Sequence, residues 1–352
     1  MAFSTRWRES CAPANSSEMT GKDGSAAPDT GEFALIEALF KPLAARTPAA
    51  LGLTDDAAVF SPTPGRDLVF TKDAMVEGVH FLKTDDPADI AKKLLRVNLS
   101  DLAAMGASPV GYLLATFWPE TIRRDWIEGF ANGLAADQER FGIGLFGGDT
   151  VRTPGPLTLS LTAIGEVTRG QALRRNGAKA GDLIAVSGSI GDAALGLQIL
   201  QHKIKGVAAT DAGFLITRYH LPTPRLALAP HLAGIATSCI DISDGLIADI
   251  GHIAAQSSLA ARIDGRTVPM SPPAREALAR DEGLLTVLLS GGDDYELALT
   301  FAPGNAAEID RIAKKADVPL TVIGEMTEGS GVSVIGPKGQ QLVYESGGWR
   351  HF

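Results

Sequence analysis

The sequence predicts an α+β protein of two mixed domains, and three observations carry that expectation. The chain has 352 residues, more than a single compact core usually organises. Short runs of alternating apolar residues trade places with longer runs at helical spacing along its length. The junctions between such runs repeatedly carry an Asp beside Gly, Ser or Thr, and the two halves repeat this order loosely.

Residues 1–30 are rich in Ser, Ala, Gly, Pro, Asp and Thr without periodic apolar positions, and are expected to be a disordered leader. Order is expected to begin at Gly31, where Phe33, Leu35, Ile36, Leu39, Phe40 and Leu43 trace an amphipathic helix. An acidic turn, Thr54-Asp55-Asp56, should feed a short strand ending at Phe60, and a second strand over 68–73 ends on Asp73. Asp86 followed by Pro87 is a helix start, and Ile90, Leu94, Val97, Asp101 and Met105 then recur at spacings of three or four. A strand over 110–118, a helix over 126–141, a strand over 143–146 that stops at Gly147-Gly148-Asp149-Thr150, and a strand over 157–167 complete a first domain, 31–168.

The second domain, 169–352, begins with a linker holding Arg174 and Arg175, then a strand, the turn Ser187-Gly188-Ser189-Ile190-Gly191-Asp192 and a helix. That turn could cradle a phosphate on its backbone N–H groups or could simply be a tight strand-to-helix connection. A strand ending in Asp241-Ile242-Ser243-Asp244-Gly245 leads into another helix. The stretch Gly291-Gly292-Asp293-Asp294-Tyr295-Glu296 enters a strand over 297–301, followed by a helix from Asn305, a strand over 320–323 and a closing hairpin.

Composition narrows the function classes. With 45% hydrophobic and 21% charged residues and no apolar run of membrane-spanning length, the chain has a globular composition. Its net charge of −9 argues against nucleic acid or an anionic membrane as partner. An acidic chain can bind a phosphorylated ligand only through clustered Lys and Arg or a divalent metal ion. The two cysteines, Cys11 and Cys239, support neither a disulfide framework nor a zinc cluster and suit a reducing cytoplasm.

Asp101 falls on the apolar face of its helix, and a buried carboxylate must be protonated, paired with a base or bound to a metal. Asp55, Asp56, Asp73, Asp149, Asp241 and Asp244 occupy comparable turns. Hard oxygen ligands of this kind suit Mg²⁺, which accepts one or two carboxylates together with water and substrate phosphates. Asp beside Gly also builds ordinary turns and caps, so no single position decides the matter. The P-loop pattern and the protein-kinase motif set are both absent.

Taken in order, Leu53-Thr54-Asp55-Asp56-Ala57-Ala58, Thr71-Lys72-Asp73 with Glu77-Gly78-Val79-His80-Phe81, Val97-Asn98-Leu99-Ser100-Asp101-Leu102-Ala103-Ala104-Met105-Gly106-Ala107, Gly147-Gly148-Asp149-Thr150, Arg175-Asn176-Gly177-Ala178, Asp241-Ile242-Ser243-Asp244-Gly245-Leu246 and Ser290-Gly291-Gly292-Asp293-Asp294-Tyr295-Glu296-Leu297 resemble the thiamine-monophosphate kinase family. The resemblance runs from about Gly31 to the C-terminus. It implies two α/β domains of the aminoimidazole ribonucleotide synthetase-like type, with the N-terminal sheet pairing across a homodimer. It further implies ATP as co-substrate, thiamine monophosphate as acceptor and several Mg²⁺ ions. By the same resemblance, Asp56, Thr71, Asp73, Asp101, Asp149, Asp241 and Asp244 would bind metal; Gly148, Asp149, Arg175 and Ser243 would touch ATP; and His80, Asp293 and Trp349 would lie at the thiamine substrate. Three positions depart from the family pattern: Lys72 replaces a usual Thr, Thr54 a common Gly, and Asp293 a frequent Glu.

The implied chemistry needs no catalytic side chain. A phosphate monoester with a second pKa of about 6 is already anionic at neutral pH, so no general base is required. The barrier is repulsion between two polyanions, which divalent ions offset. Two alternatives stay open at this point: a related enzyme using the same nucleotide cleft for another acceptor, and a metal-binding protein without turnover.

Overall fold

The computed structural model describes residues 31–336, 339–342 and 348. The expected leader over 1–30 and the candidate substrate residue Trp349 lie outside the described residues.

Two mixed sheets organise the chain. The first contains β1 (Arg66–Val76), β2 (Ser108–Pro119), β3 (Gly144–Thr153) and β4 (Thr158–Thr168) in the order β1-β4-β2-β3, with β2 and β3 parallel and the other pairs antiparallel. The second contains β5 (Leu183–Ser187), β6 (Ser238–Ile242), β7 (Ala260–Asp264), β8 (Glu296–Phe301), β9 (Leu320–Thr327), β10 (Gly331–Ile335) and β11 (Gln341–Leu342), in the order β11-β10-β7-β9-β5-β8-β6.

One face of the first sheet is covered by the helices Pro87–Ala104 and Arg124–Phe141, and Leu94, Leu99, Leu102, Tyr112, Phe130, Leu134 and Leu161 form its core. Its other face is open in the single chain: Phe70 is 62%, Leu113 41% and Phe117 36% exposed. In the second sheet alternate residues enter two cores. Ile184, Val186, Ile240 and Ile242 pack with the helix Leu246–Ser257, while Ala185, Cys239, Leu297 and Leu299 pack with the helix Ala306–Ala316. A sheet buried on both faces has near-continuous apolar strands, and β8 is buried at every position.

The helix Pro87–Ala104 begins as the sequence dictates, with the Asp86 carboxylate accepting from the N–H groups of Ala88 and Asp89 and Pro87 in the first turn. It lies between the two sheets. Its Arg96 makes a bidentate pair with buried Asp137 at 2.6 and 2.9 Å and donates to the Pro222 carbonyl at 3.2 Å. Its Ala103 and Ala104 join the core of the second sheet.

Two expectations are corrected. The acidic turn at 54–56 feeds no strand: residues 54–62 lie outside both sheets and Val59 is 67% exposed, because its N–H donates to the Ala49 carbonyl at 2.9 Å and Phe60 meets β3 through its ring, against Phe146, instead of through a backbone ladder. The strand expected to stop at Gly147 continues to Thr153, because β2 extends beside it and pairs Ala115 with Asp149 and Thr116 with Thr150. The helices Ala209–His220 and Leu284–Ser290 and strand β7 add to the sequence-based layout.

Candidate functional site

Three carboxylates meet where β1, the helix Pro87–Ala104 and β6 converge. Thr71 and Asp73 are two residues apart on β1, so both point to the helix-covered face of the sheet. The Thr71 hydroxyl donates to the Asp101 carboxylate on the helix. One residue earlier, buried Ser100 donates to Asp241 Oδ2 at 2.9 Å, which ties the helix to β6. Burial and the neighbouring Asp101 lift the Asp73 carboxyl to about 7. Burial also raises Asp101, opposed by the Thr71 hydroxyl and the positive charge of Arg175. Asp241 is pushed well above the usual carboxylate range by burial, with Asp101, Asp249 and Asp73 adding like charge. Tyr295 is raised by burial and then by the like-signed charges of Asp293, Asp73, Asp241 and Asp101.

Around this cluster the chain builds two close-fitting loops. Asp249 Oδ2 accepts the N–H groups of Ser243, Asp244 and Gly245, each at 3.1 Å, and so fixes the turn that carries Ser243 and Asp244. Burial and Asp244 raise the Asp249 carboxyl to about 7 despite those donors. Single ligand atoms of Asp244, Asp249 and His252 lie within 4.8 Å of one another. The second loop, Gly291 to Tyr295, rests on the first. Asp293 N–H donates to the Ser243 carbonyl at 2.9 Å and Tyr295 N–H to the Ile242 carbonyl at 2.8 Å. A Cβ at Gly292 would come within 2.1 Å of the Ser243 carbonyl oxygen, which is why the loop needs glycine there. Asp293 and Tyr295 are held at φ +73° and +50°, a strain the surrounding contacts sustain.

His80 and Asp293 come to the same place from opposite domains. The His80 Nδ1 accepts the Val76 N–H at 3.0 Å, which puts the ring proton of the neutral form on Nε2. The His80 carbonyl receives the Tyr219 hydroxyl at 3.3 Å and the Lys93 ammonium at 3.5 Å, and Lys93 lies 3.3 Å from Asp293.

The remaining candidates are more peripheral in the single chain. Asp55 and Asp56 are exposed in the irregular 54–62 segment. Asp149 is exposed on β3 opposite Ala115, with its carboxylate accepting the Thr150 N–H at 2.9 Å. Thr150 instead faces Thr116 and the Trp118 indole, so Asp149 points to the open sheet face. At Gly148 a Cβ would sit 1.8 Å from the Leu114 carbonyl oxygen, so this residue too must be glycine. Arg175 is exposed, but the Arg174 carbonyl accepts the Cys239 N–H at 2.9 Å, which holds the linker beside β6. Asp249, Lys93 and Tyr219 are functional neighbours that the sequence reading passed over. An acid in the first turn after Gly245 and a lysine two turns before Asp101 on the same helix were the available signals.

Models of the AIR synthase related protein N-terminal and C-terminal domains match residues 54–167 and 179–337, which gives the class of fold. A curated thiamine-monophosphate kinase from Caulobacter vibrioides is 45% identical over 332 residues, covering 93% of this chain and 92% of that protein. The crystal structure of thiamine-monophosphate kinase from Stenotrophomonas maltophilia matches with a TM-score of 0.78 at 45% identity, covering 86% of this chain and 96% of that one. A structure described as AaThiL complexed with AMPPCP and TMP matches with a TM-score of 0.72 at 29% identity, covering 93% and 99% of the two chains. This chain belongs to the thiamine-monophosphate kinase family.

Proposed function

We propose that the chain phosphorylates thiamine monophosphate with ATP, giving thiamine diphosphate and ADP. The observation that carries this reading is the convergence of Asp73, Asp101 and Asp241 from three elements, Asp241 buried and the other two half-buried, with hydroxyl donors from Thr71 and Ser100 and the charge of Arg175 beside them. Like charges so placed require protons or a multivalent cation, and an all-oxygen donor set fits Mg²⁺. When bound, such ions neutralise phosphate charge during transfer.

The roles of individual residues are taken from the family resemblance, and position supports those of Thr71, Asp73, Asp101 and Asp241. Thr71, Asp73, Asp101, Asp241 and Asp244, with Asp56 and Asp149, are the metal-holding groups. Gly148, Asp149, Arg175 and Ser243 take the nucleotide. Asp293 supplies a carboxylate for the cationic thiazolium, and by the family resemblance His80 and Trp349 also serve the thiamine substrate. The acceptor monoester attacks the γ-phosphorus directly, and the bond to the ADP oxygen breaks, so no phosphoenzyme forms. Acid quench with ³²P-labelled ATP is expected to leave the protein unlabelled.

Residues 31–168 and 169–352 act as the two domains. The exposed Phe70, Leu113 and Phe117 support a homodimer that covers the open sheet, because each large apolar side chain contributes about 1.5–3 kcal/mol when fully buried. Among the described residues no helix is long and apolar enough to cross a membrane, and the proposed location is the cytoplasm. The deciding assay is ADP release with Mg²⁺ and thiamine monophosphate against other phosphate, amidine and carbamoyl acceptors. Turnover with another acceptor but not with thiamine monophosphate would overturn the assignment.

A further inference from the structure

Lys93 lies on the inward face of the helix Pro87–Ala104, and its side chain is only 4% exposed. A buried ammonium needs compensation from every side. Here it comes from three separate segments: Asp293 Oδ1 at 3.3 Å, the Tyr219 ring centroid at 3.7 Å, and the His80 carbonyl at 3.5 Å. Asp293, by contrast, keeps 30% of its side chain exposed. The pair therefore shows its carboxylate to the site and hides its ammonium.

Asp293 has a second set of neighbours. Its N–H donates to the Ser243 carbonyl at 2.9 Å, which seats Asp293 on the turn that links Asp241 and Asp244. A free carboxylate this close to the metal-holding acids would be drawn toward their cation. Its backbone cannot prevent that, since the N–H bond to Ser243 fixes the main chain and leaves the side chain to rotate. Lys93 is the group that holds the carboxylate on the His80 side.

We propose that Lys93 is a positioning residue that keeps the Asp293 carboxylate out of the metal cluster and reserves it for the cationic ring of the acceptor. The inference rests on the reading of Asp293 given above. The ammonium does not itself meet the acceptor; it acts through Asp293.

A double-mutant cycle on the full-length protein tests this, with kcat and KM measured for thiamine monophosphate and for ATP. K93M is expected to raise KM for thiamine monophosphate about tenfold, with kcat and the KM for ATP within about twofold. K93R keeps a cation under Asp293 and is expected to recover most of the loss. In the D293N background, K93M should add nothing. Equal multiplicative effects in both backgrounds, or an unchanged KM in folded K93M, overturn the proposal. If K93M does not fold, K93Q, which also removes the charge, is compared in the wild-type and D293N backgrounds: a KM increase only in the former supports the coupling, and an equal change or none in both overturns it. A D293N protein with normal KM for thiamine monophosphate overturns the role of Asp293 itself, and Lys93 falls with it.

Discussion

The molecule buries two groups of acids and treats them in opposite ways. In the second domain Glu296 is fully buried, and its oxygens meet Arg218 at 2.8 Å, Arg225 at 2.5 Å through Nε, and the Ser187 hydroxyl at 2.5 Å. Asp294 beside it accepts the Gly191 and Ala193 N–H groups at the start of the helix Asp192–Leu200, and Asp192 takes the hydroxyls of Ser189 and Ser271 at 2.5 Å each. Between the two sheets, Asp101 and Asp241 take hydroxyl donors from Thr71 and Ser100, Asp73 has the neighbouring charge of Asp101, and an opposing charge comes from the exposed Arg175. Burial raises carboxyls in both groups, so burial alone does not separate them. What separates them is a resident cation. The first group is neutralised within the chain, whereas on the proposed reading the second is completed by a metal ion.

The largest expected effect tests that distinction directly. Asp241→Asn should lower kcat/KM at least about a thousandfold, roughly 4 kcal/mol of transition-state stabilisation, while raising the melting temperature of the metal-free protein. Glu296→Gln should do the reverse in kind. It leaves Arg218 and Arg225 short of countercharge and should cost about 3 kcal/mol of stability in urea unfolding. If both substitutions merely destabilise, the two groups are alike and the comparison fails.

A pH series sharpens it. Burial lifts the Asp73 and Asp249 carboxyls to about 7 in the fold, against 3.8 for an ordinary aspartate. A carboxyl whose pKa rises on folding takes up a proton, so its contribution is full below pH 3.8 and is lost as pH climbs through 7. The metal-free melting temperature should therefore fall across that window, and less steeply in Asp73→Asn. Added Mg²⁺ should raise the melting temperature more at pH 8 than at pH 5.5, because metal binding requires the deprotonated ligands. A Mg²⁺ shift independent of pH would count against metal binding by these acids.

The smallest effect on folding concerns the two sheets. Leu113→Glu on the open face should change single-chain stability by only about 0.5 kcal/mol, yet shift the species seen by light scattering from dimer to monomer. Wild-type protein that is monomeric at all concentrations would remove the dimer from the proposal.

Much of the scaffold was legible in the chain. Asp86-Pro87 announced a helix start, and the apolar spacing placed Asp101 inward. Gly292 and Gly148 sit in close backbone approaches that spacing cannot reveal. The extent of β3 was misjudged because a strand's end is set by its partner, here β2, and not by its own glycines. Lys93 matters through Asp293, two hundred residues away in sequence, and Asp249 through the neighbouring Ser243–Gly245 turn, which it caps only once the helix has formed.

The helix Pro87–Ala104 carries Lys93 and Asp101 eight residues apart, a separation of about 12 Å along a rigid rod. On the proposed reading, the end of the site that would grip an organic cation and the end that would grip phosphate are thus spaced by one element, like marks on a ruler. An acceptor with one more methylene between ring and phosphate would find neither mark free to slide, and the mismatch of about 1 Å would fall on the reacting oxygen.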